Sequence, residues 1–143
     1  MAELRAIMTD YSSQERAIRS VRDQVFLVEQ EIDPALELDD RDANCLHAVV
    51  FADEFPVGTG RIDLEKEGKV GRVAVLKECR GQGVGRLLME TLENAALQHG
   101  LPKLWFHAQR SAVAFYLALD YNQIGDEFME ADIPHVFMEK ELS

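Results

Sequence analysis

The stretch VGRVAVLKECRGQGVGR, from Val70 to Arg86, decides the fold of this 143-residue chain. Its first half is a β-branched, apolar run, which is typical of a buried strand. Gly81, Gly83 and Gly85 then remove three side chains within five positions, which leaves backbone N–H groups open to a ligand. The residues that follow continue as a helix, and the N-terminus of a helix attracts anions. The stretch therefore predicts a strand, a bare turn and a helix that together bind a phosphate-bearing ligand.

The distribution of charge supports a small anionic ligand. The chain carries 15 basic and 26 acidic residues, a net charge of −11, yet positions 69–86 hold five basic residues and one acidic residue. A basic segment on a glycine turn favours a small polyanion over a nucleic acid surface. The alternative is that these cations are ordinary solvated charges. The acidic remainder of the chain argues against binding nucleic acid or an anionic membrane.

Two familiar glycine loops do not fit. A P-loop needs Gly-Lys followed by Ser or Thr, whereas Gly85 is followed by Arg86 and Leu87. A dinucleotide loop needs the spacing G-x-G-x-x-G and a carboxylate at the end of the next strand. The spacing here is Gly81-x-Gly83-x-Gly85, and the next strand ends at Gln109. Both alternatives are therefore excluded.

The pattern that fits is [QR]-x-x-G-x-[GA], met by Arg80, Gly83 and Gly85. This segment resembles the acetyl-CoA loop of the GNAT superfamily of N-acetyltransferases. AFYLAL, at 114–119, is similar to the tyrosine helix of that family, and IPHVFM, at 133–138, is similar to its small bacterial YjcF/ElaA-like branch. One departure is Asp120-Tyr121, where the family usually has Gly-Phe. We expect the turn to survive, because aspartate tolerates left-handed backbone better than most residues.

The resemblance implies a single GNAT-like domain over 1–143, of the α/β class. Its acyl-CoA N-acyltransferase fold has a central mixed, mostly antiparallel sheet of about six or seven strands with helices on both faces. The patterns agree, since three strands with short turns between 46 and 76 predict an antiparallel meander. The strand, helix and strand that follow predict a parallel pair. In the first helix, Ile18, Val21, Val25 and Val28 have helical spacing, which predicts one buried face.

The resemblance also implies direct transfer of an acetyl group from acetyl-CoA to a primary amine of an unidentified small molecule. The residues implied to hold acetyl-CoA are Val73, Ala74, Val75, Arg80, Gly81, Gln82, Gly83, Val84, Gly85, Arg86 and Tyr116. Glycine-loop amides and arginines would bind the diphosphate, and backbone N–H groups at 73–75 would bind the thioester carbonyl, where negative charge grows.

The resemblance makes Tyr116 the candidate acid for the leaving thiolate. His135 is the preferred candidate for the base or an acceptor contact, because imidazole titrates near neutrality. His107, Glu29 and Glu54 remain alternatives, as does a water relay. Glu29, Arg72, Gln109 and His135 are the candidate acceptor-binding residues. The acidic segment 33–42 would lie over the acceptor, where it either attracts a cationic amine or is simply solvated.

Two other function classes stay open. One is a catalytically weak acetyl-CoA-binding module that acts through a protein partner. The other is an interaction protein without a ligand, against which Arg80, Gly83 and Gly85 argue. A homodimer is also left open.

The cysteines and the lack of targeting patterns limit the possible metal chemistry and the cellular location. No metal site is expected, because Cys45-x-His47 has no second pair at zinc spacing. We expect Cys45 and Cys79 to be free thiols. We expect the chain to be cytoplasmic, since it lacks a signal-peptide pattern and an apolar run of ~20 residues.

Overall fold

The computed structural model describes residues 2–142 as a seven-stranded sheet with helices on both faces. The strands are β1 (Leu4–Thr9), β2 (Leu46–Ala52), β3 (Phe55–Asp63), β4 (Lys69–Val75), β5 (Lys103–Gln109), β6 (Asn122–Glu130) and β7 (Ile133–Glu141). The helices are α1 (Glu15–Arg22), α2 (Pro34–Glu37), α3 (Val84–Gln98) and α4 (Val113–Leu117). The strand order is β1-β2-β3-β4-β5-β7-β6, and the neighbouring strands are antiparallel apart from the parallel pair β4–β5. The mixed, mostly antiparallel sheet expected from the sequence is confirmed.

Alternate residues of the sheet supply two hydrophobic layers. On one face, Leu88 and Leu92 of α3 are fully buried in a cluster that includes Val50 of β2. On the other face, Ile18 of α1 packs in a cluster with Val49 of β2. Successive residues of a strand point to opposite faces, so one strand serves both layers. Within residues 2–142, no helix combines the length and apolar composition needed to cross a bilayer.

The first helix widens before it ends. After α1, residues Asp23–Glu29 form a π-helix, in which the Gln30 N–H bonds the Val25 carbonyl at 3.0 Å. The wider turn rotates Val28 away from the sheet, so that Val28 is 62% exposed whereas Val25 is 2% exposed. The expectation that Val28 belongs to the buried face is wrong, because that spacing assumes an uninterrupted 3.6-residue turn.

The turn after α4 keeps its left-handed form without glycine. Asp120 has a φ of +71°. The next residue, Tyr121, is 1% exposed, and its hydroxyl donates to Glu93 Oε2 at 2.6 Å. The aspartate therefore tolerates the backbone that the turn needs, as the sequence predicted.

A chain of ion pairs fastens the segment 33–42 to α1 and to the sheet. Arg22 of α1 is 1% exposed and bonds Glu37 at 2.9 Å and Asp42 at 2.8 Å. Arg61 of β3 bonds Asp42 at 2.8 Å and Asp39 at 2.6 Å. Burial opposes ionisation of Asp42, but its two guanidinium partners outweigh burial and lower its pKa. The carboxylates at 37, 39 and 42 are therefore paired with arginines and are not free to attract an amine. Glu37 and Asp42 are buried, whereas Asp39 stays partly solvated.

Replacing Arg22 with Ala should destabilise the fold by about 2–3 kcal/mol, because it takes one of two guanidinium partners from each of the buried carboxylates of Glu37 and Asp42. The matched control is Arg110→Ala, whose pair with Glu127 has side chains 65% and 43% exposed, and which should cost about 0–1 kcal/mol. Urea unfolding followed by circular dichroism measures both. A loss from Arg22→Ala no larger than that of the control would contradict a structural role for the buried chain.

Candidate active site

A cleft opens where β4 and β5 part. Within the described part of the chain, these strands share one register pair, Lys69 opposite Trp105. Beyond that pair lies a cleft of about 440 Å³. Its walls come from β4, β5, the segment around α2 and the turn between β6 and β7. A site lined by several separate elements in this way is the usual place for a small-molecule ligand.

A bulge in β4 accompanies the separation. The register with β3 is irregular between Thr59 and Arg61, and Arg72 has a φ of +51°. Past the bulge, the Leu76 N–H bonds Val57 of β3, whereas the Val75 carbonyl accepts from Arg80 on the other side. Because successive residues direct their backbone groups to opposite edges of a strand, Val75 and Val73 face the open edge and Ala74 faces β3. Two of the three predicted backbone positions therefore face the gap between β4 and β5, and one of them, Val73, also lines the cleft.

The glycine turn presents free amides at the head of α3. Gly81 and Gly83 have φ of +77° and +91°, and a Cβ at either position would meet nothing within 4 Å. Between residues 2 and 142, the N–H groups from Gly81 to Arg86 have no hydrogen-bond acceptor, a run that includes Gln82 and Val84. Gly85 differs, because a Cβ there would lie 2.8 Å from the Phe115 ring. Gly81 and Gly83 therefore allow the left-handed backbone of the turn, and Gly85 leaves room for Phe115 of α4.

The side chain of Arg80 is engaged within the protein. Its guanidinium forms two 2.7 Å hydrogen bonds to the Glu29 carboxylate, and its Nε donates to the Val75 carbonyl at 3.1 Å. The hydrogen bond from Arg80 is the main cause that lowers the pKa of Glu29. Glu29 thus ties the end of the π-helix to the glycine turn and does not line the cleft. Arg86 is exposed at the start of α3.

Tyr116 of α4 reaches the cleft from the hydrophobic core. The residue is 6% exposed, and its ring lies 4.5 Å from that of Phe106, centroid to centroid. Burial raises the pKa of the phenol. Among the described residues, every fully buried side-chain nitrogen or oxygen atom has a hydrogen-bond partner. The Tyr116 hydroxyl has no such partner in this part of the chain, so it is not a fully buried atom. The hydroxyl is therefore accessible from the cleft that Tyr116 lines.

His135 lies on β7 beside a carboxylate that sequence reasoning missed. Its Nδ1 is 2.7 Å from the Ile133 carbonyl, which can only accept, so Nδ1 carries hydrogen and Nε2 of the neutral ring carries the lone pair. That Nε2 is 3.6 Å from Glu130 Oε2. The other oxygen of Glu130 accepts from His107 Nδ1 at 2.9 Å. Burial opposes ionisation of Glu130, but His107, His135 and Lys69 together lower its pKa.

A hairpin turn brings Glu130 to this position. Ala131 and Asp132 both have positive φ, 50° and 61°, which suits a two-residue turn between antiparallel strands. The turn sets Glu130 opposite Ile133, two residues before His135. The sequence signal was weak, because alanine rarely occupies such a turn. Glu54, another candidate base, lies exposed in the turn between β2 and β3 and outside the cleft.

The remaining acceptor candidates brace the cleft wall. The Arg72 Nε donates to the Glu37 carbonyl at 3.0 Å, and its Nη2 lies 3.2 Å from Asp39. Gln109 donates to the side-chain oxygen of Gln30 at 2.9 Å. Both residues line the cleft, but each already holds the segment that follows α1. Gln30 is a second cleft residue that sequence patterns did not indicate.

The two cysteines are free thiols. Burial raises the pKa of Cys45 to about 11 and also raises that of Cys79. Thiolate is the reactive form, so neither side chain is set up as a nucleophile. In the described range, no group of three or more His, Cys, Asp or Glu residues is arranged to hold a metal ion.

Comparison with known proteins agrees with this geometry. Residues 8–142 match the family model for the acetyltransferase (GNAT) domain. The chain is 38% identical to the uncharacterized protein YyaT of Bacillus subtilis over 127 residues, 86% of each chain. It is 36% identical to the uncharacterized N-acetyltransferase YjcF of Bacillus subtilis, over 96% of this chain and all of that one. The crystal structure of Escherichia coli ElaA superposes with a TM-score of 0.84 at 28% identity, covering 96% of this chain and 99% of ElaA. The chain therefore belongs to the GNAT family of N-acetyltransferases.

Proposed function

We propose that this N-acetyltransferase moves an acetyl group directly from acetyl-CoA to a primary amine of a small molecule. The observation that carries the proposal is the run of free amides from Gly81 to Arg86, which opens at the start of a 15-residue helix beside the parted strands. Anions are stabilised at such a helix start by N–H groups and by the helix dipole. These amides would bind the diphosphate of acetyl-CoA, and Arg86 would add positive charge.

The open edge of β4 would receive the thioester. Val73 and Val75 direct their N–H groups toward the gap between β4 and β5, where a donor can stabilise the negative charge that develops on the carbonyl oxygen. Ala74 would contribute by packing, because its side chain lies in the cluster with Val21 and Val25. Arg80 would act indirectly, by holding the turn to the end of the π-helix through Glu29.

His135 would take the proton of the amine. Its Nε2 carries the lone pair of the neutral ring and lies near the Glu130 carboxylate, which stabilises the imidazolium once it forms. The neutral amine nitrogen then bonds to the acetyl carbon as the bond from that carbon to sulfur breaks, and the second proton leaves the nitrogen for solvent as the amide forms. The proton passes from His135 to solvent, and the sulfur leaves as the CoA thiolate.

Tyr116 would hydrogen-bond to that thiolate. Burial raises the pKa of its phenol, so the hydroxyl keeps its proton and donates a hydrogen bond at any working pH. Complete proton transfer to the thiolate would be uphill, because a thiol is the stronger acid. A stabilising role of this kind predicts a moderate contribution to rate.

Binding of acetyl-CoA and turnover test the proposal separately. Acetyl-CoA at about 100 times its Kd should stabilise the fold by about 2.7 kcal/mol, which raises the melting temperature by roughly 10 °C. Release of CoA across a panel of amines, followed with a thiol reagent, should then identify an acceptor. A melting shift without turnover on any amine would favour the binding-module alternative. The absence of a shift would overturn the proposal.

Glycine variants provide a matched control for this binding test. Gly83→Ala adds a methyl group among the free amides and should abolish most of the melting shift. Gly100→Ala makes the same change at another left-handed glycine, with φ +75° and open space around it, but lies at the far end of α3. It should lose comparable stability because of backbone strain and keep the full shift.

Replacing Tyr116 with Phe should lower kcat about 10- to 100-fold, at or below the low end for acid–base catalysis. The matched control is Tyr121→Phe, which removes a hydroxyl from the same aromatic cluster but one bonded to Glu93. That control should lose stability and keep kcat within about twofold. Steady-state kinetics on the best acceptor measures both, and an unchanged kcat in Tyr116→Phe would remove Tyr116 from the mechanism.

Replacing His135 with Gln should lower kcat/KM about 100-fold near pH 7. The loss should shrink as the pH rises, since the fraction of neutral amine then increases without a base. His99→Gln is the control, because His99 lies exposed at the end of α3 and bonds the Ala95 carbonyl. Identical pH–rate profiles for the His135 variant and the parent chain would show that another group, or water, accepts the proton.

A further inference from the structure

We infer that the acceptor is an amine that also carries an anionic group, and that Lys69 binds that group. This inference rests on the proposed function and names the substrate class of the same cleft. It follows from which charges on the cleft wall are already paired and which are free for a ligand.

The arginines of the cleft already form ion pairs and hydrogen bonds within the protein. Arg41 bonds the Asp63 carboxylate through two nitrogens, at 2.7 and 2.9 Å. Arg61 bonds Asp39, with distances of 2.9 and 2.6 Å. Arg72 is held by Asp39 and by the backbone carbonyls of Leu36 and Glu37 in α2. These guanidinium groups hold the wall together and have little capacity left for a substrate anion.

Lys69 is different. It lines the cleft at the point where β4 and β5 part, and no carboxylate among residues 2–142 lies within salt-bridge distance of its ammonium. Lys66 also lines the cleft without such a partner, but Lys66 is exposed to solvent whereas Lys69 is half-buried. Its Nζ lies 5.4 Å from the centre of the Trp105 ring. Burial, followed by the positive charges of Lys66, Arg61 and Arg72, lowers the pKa of Lys69 against the opposing pull of Glu130. A half-buried ammonium among other cations is costly unless a ligand supplies an anion.

The opposite charge lies further along the same face. A row of ring contacts runs from Trp105 to His107 at 5.9 Å, on to Phe128 at 5.0 Å, and then to His135 at 6.2 Å. Glu130 lies at this end of the row, between the two imidazoles. The cleft thus has a cationic end at Lys69 and a proton-accepting end at His135. An amine with a distant anion fits this polarity in one orientation.

The spacing of the two ends sets the length of the acceptor. Lys69 pairs with Trp105 and His135 pairs with Gln109. Those partners are four residues apart on β5, which corresponds to about 13 Å of strand. The long lysine side chain closes part of this distance. The amine and the anionic group are therefore separated by several bonds, as in an ω-amino acid, and not by one carbon as in an α-amino acid.

Two acceptors that differ in charge alone test the inference: 6-aminohexanoate and its carboxamide, 6-aminohexanamide. The parent chain should acetylate the acid with a kcat/KM about tenfold or more above that of the amide, as expected for a charge-assisted hydrogen bond. Lys69→Met should bring the acid-to-amide ratio close to 1, and Lys69→Arg should restore it. Lys103→Met, at an exposed pair with Glu139 outside the cleft, should leave the ratio as in the parent chain. A ratio near 1 in the parent chain, or a ratio unmoved by Lys69→Met, would overturn the inference.

A binding measurement separates this inference from the proposed function. Calorimetry with the acetylated forms, 6-acetamidohexanoate and 6-acetamidohexanamide, needs no turnover. Binding of the acid, weakened at least tenfold by Lys69→Met and retained in Lys69→Arg, would support the anion site even in a catalytically inactive chain. If the acid and the amide bind equally, or neither binds, the anion site is wrong whether or not the chain transfers acetyl groups.

Discussion

The parting of β4 and β5 is the constraint on which the rest of the structure depends. Parallel strands that stay paired satisfy their backbone N–H and C=O groups with each other. Here the pairing breaks off after Lys69 and Trp105, and the bulge at Arg72 accompanies the separation. The strands are therefore apart at the end of β4, where the chain turns through its glycines into α3. Free backbone groups, an open gap and a helix N-terminus come together at that place.

The wall over this gap is held by charge more than by apolar burial. Leu36 and Leu38 of the segment that follows α1 are 57% and 53% exposed, whereas Glu37 between them is 3% exposed. Arg22, Arg61 and Arg72 bind this segment from α1, β3 and β4. The same pairing decides the chemistry of the cleft, because it neutralises most of the lining charges. What remains to meet a substrate is the pair of lysines, Lys66 and Lys69, and the group of Glu130 with its two histidines.

Local sequence predicted the fold well, because each element carries its own pattern. The β-branched run of β4 and the glycines at 81, 83 and 85 are short-range signals, and the structure has the strand, the open turn and the helix that they predict. The features that the sequence did not predict are long-range contacts or depend on the exact pitch of a helix. Glu29 and Arg80 are 51 positions apart, so no local pattern could show that they neutralise each other. Glu130 reaches His135 through a two-residue turn whose residues have positive φ although neither is glycine. The π-helix that contains Val28 left no signal in the spacing of apolar residues.

The most direct test of the account is the amide spectrum of the glycine turn. An NMR titration with desulfo-CoA, set against acetylpantetheine, which lacks the diphosphate, isolates the anion. The account predicts that the amide protons between Gly81 and Arg86 move strongly downfield with desulfo-CoA and little with acetylpantetheine, because charge-assisted hydrogen bonds form with one ligand alone. Desulfo-CoA that binds without moving these amides, or acetylpantetheine that moves them equally, would contradict the claim that the bare backbone binds a diphosphate.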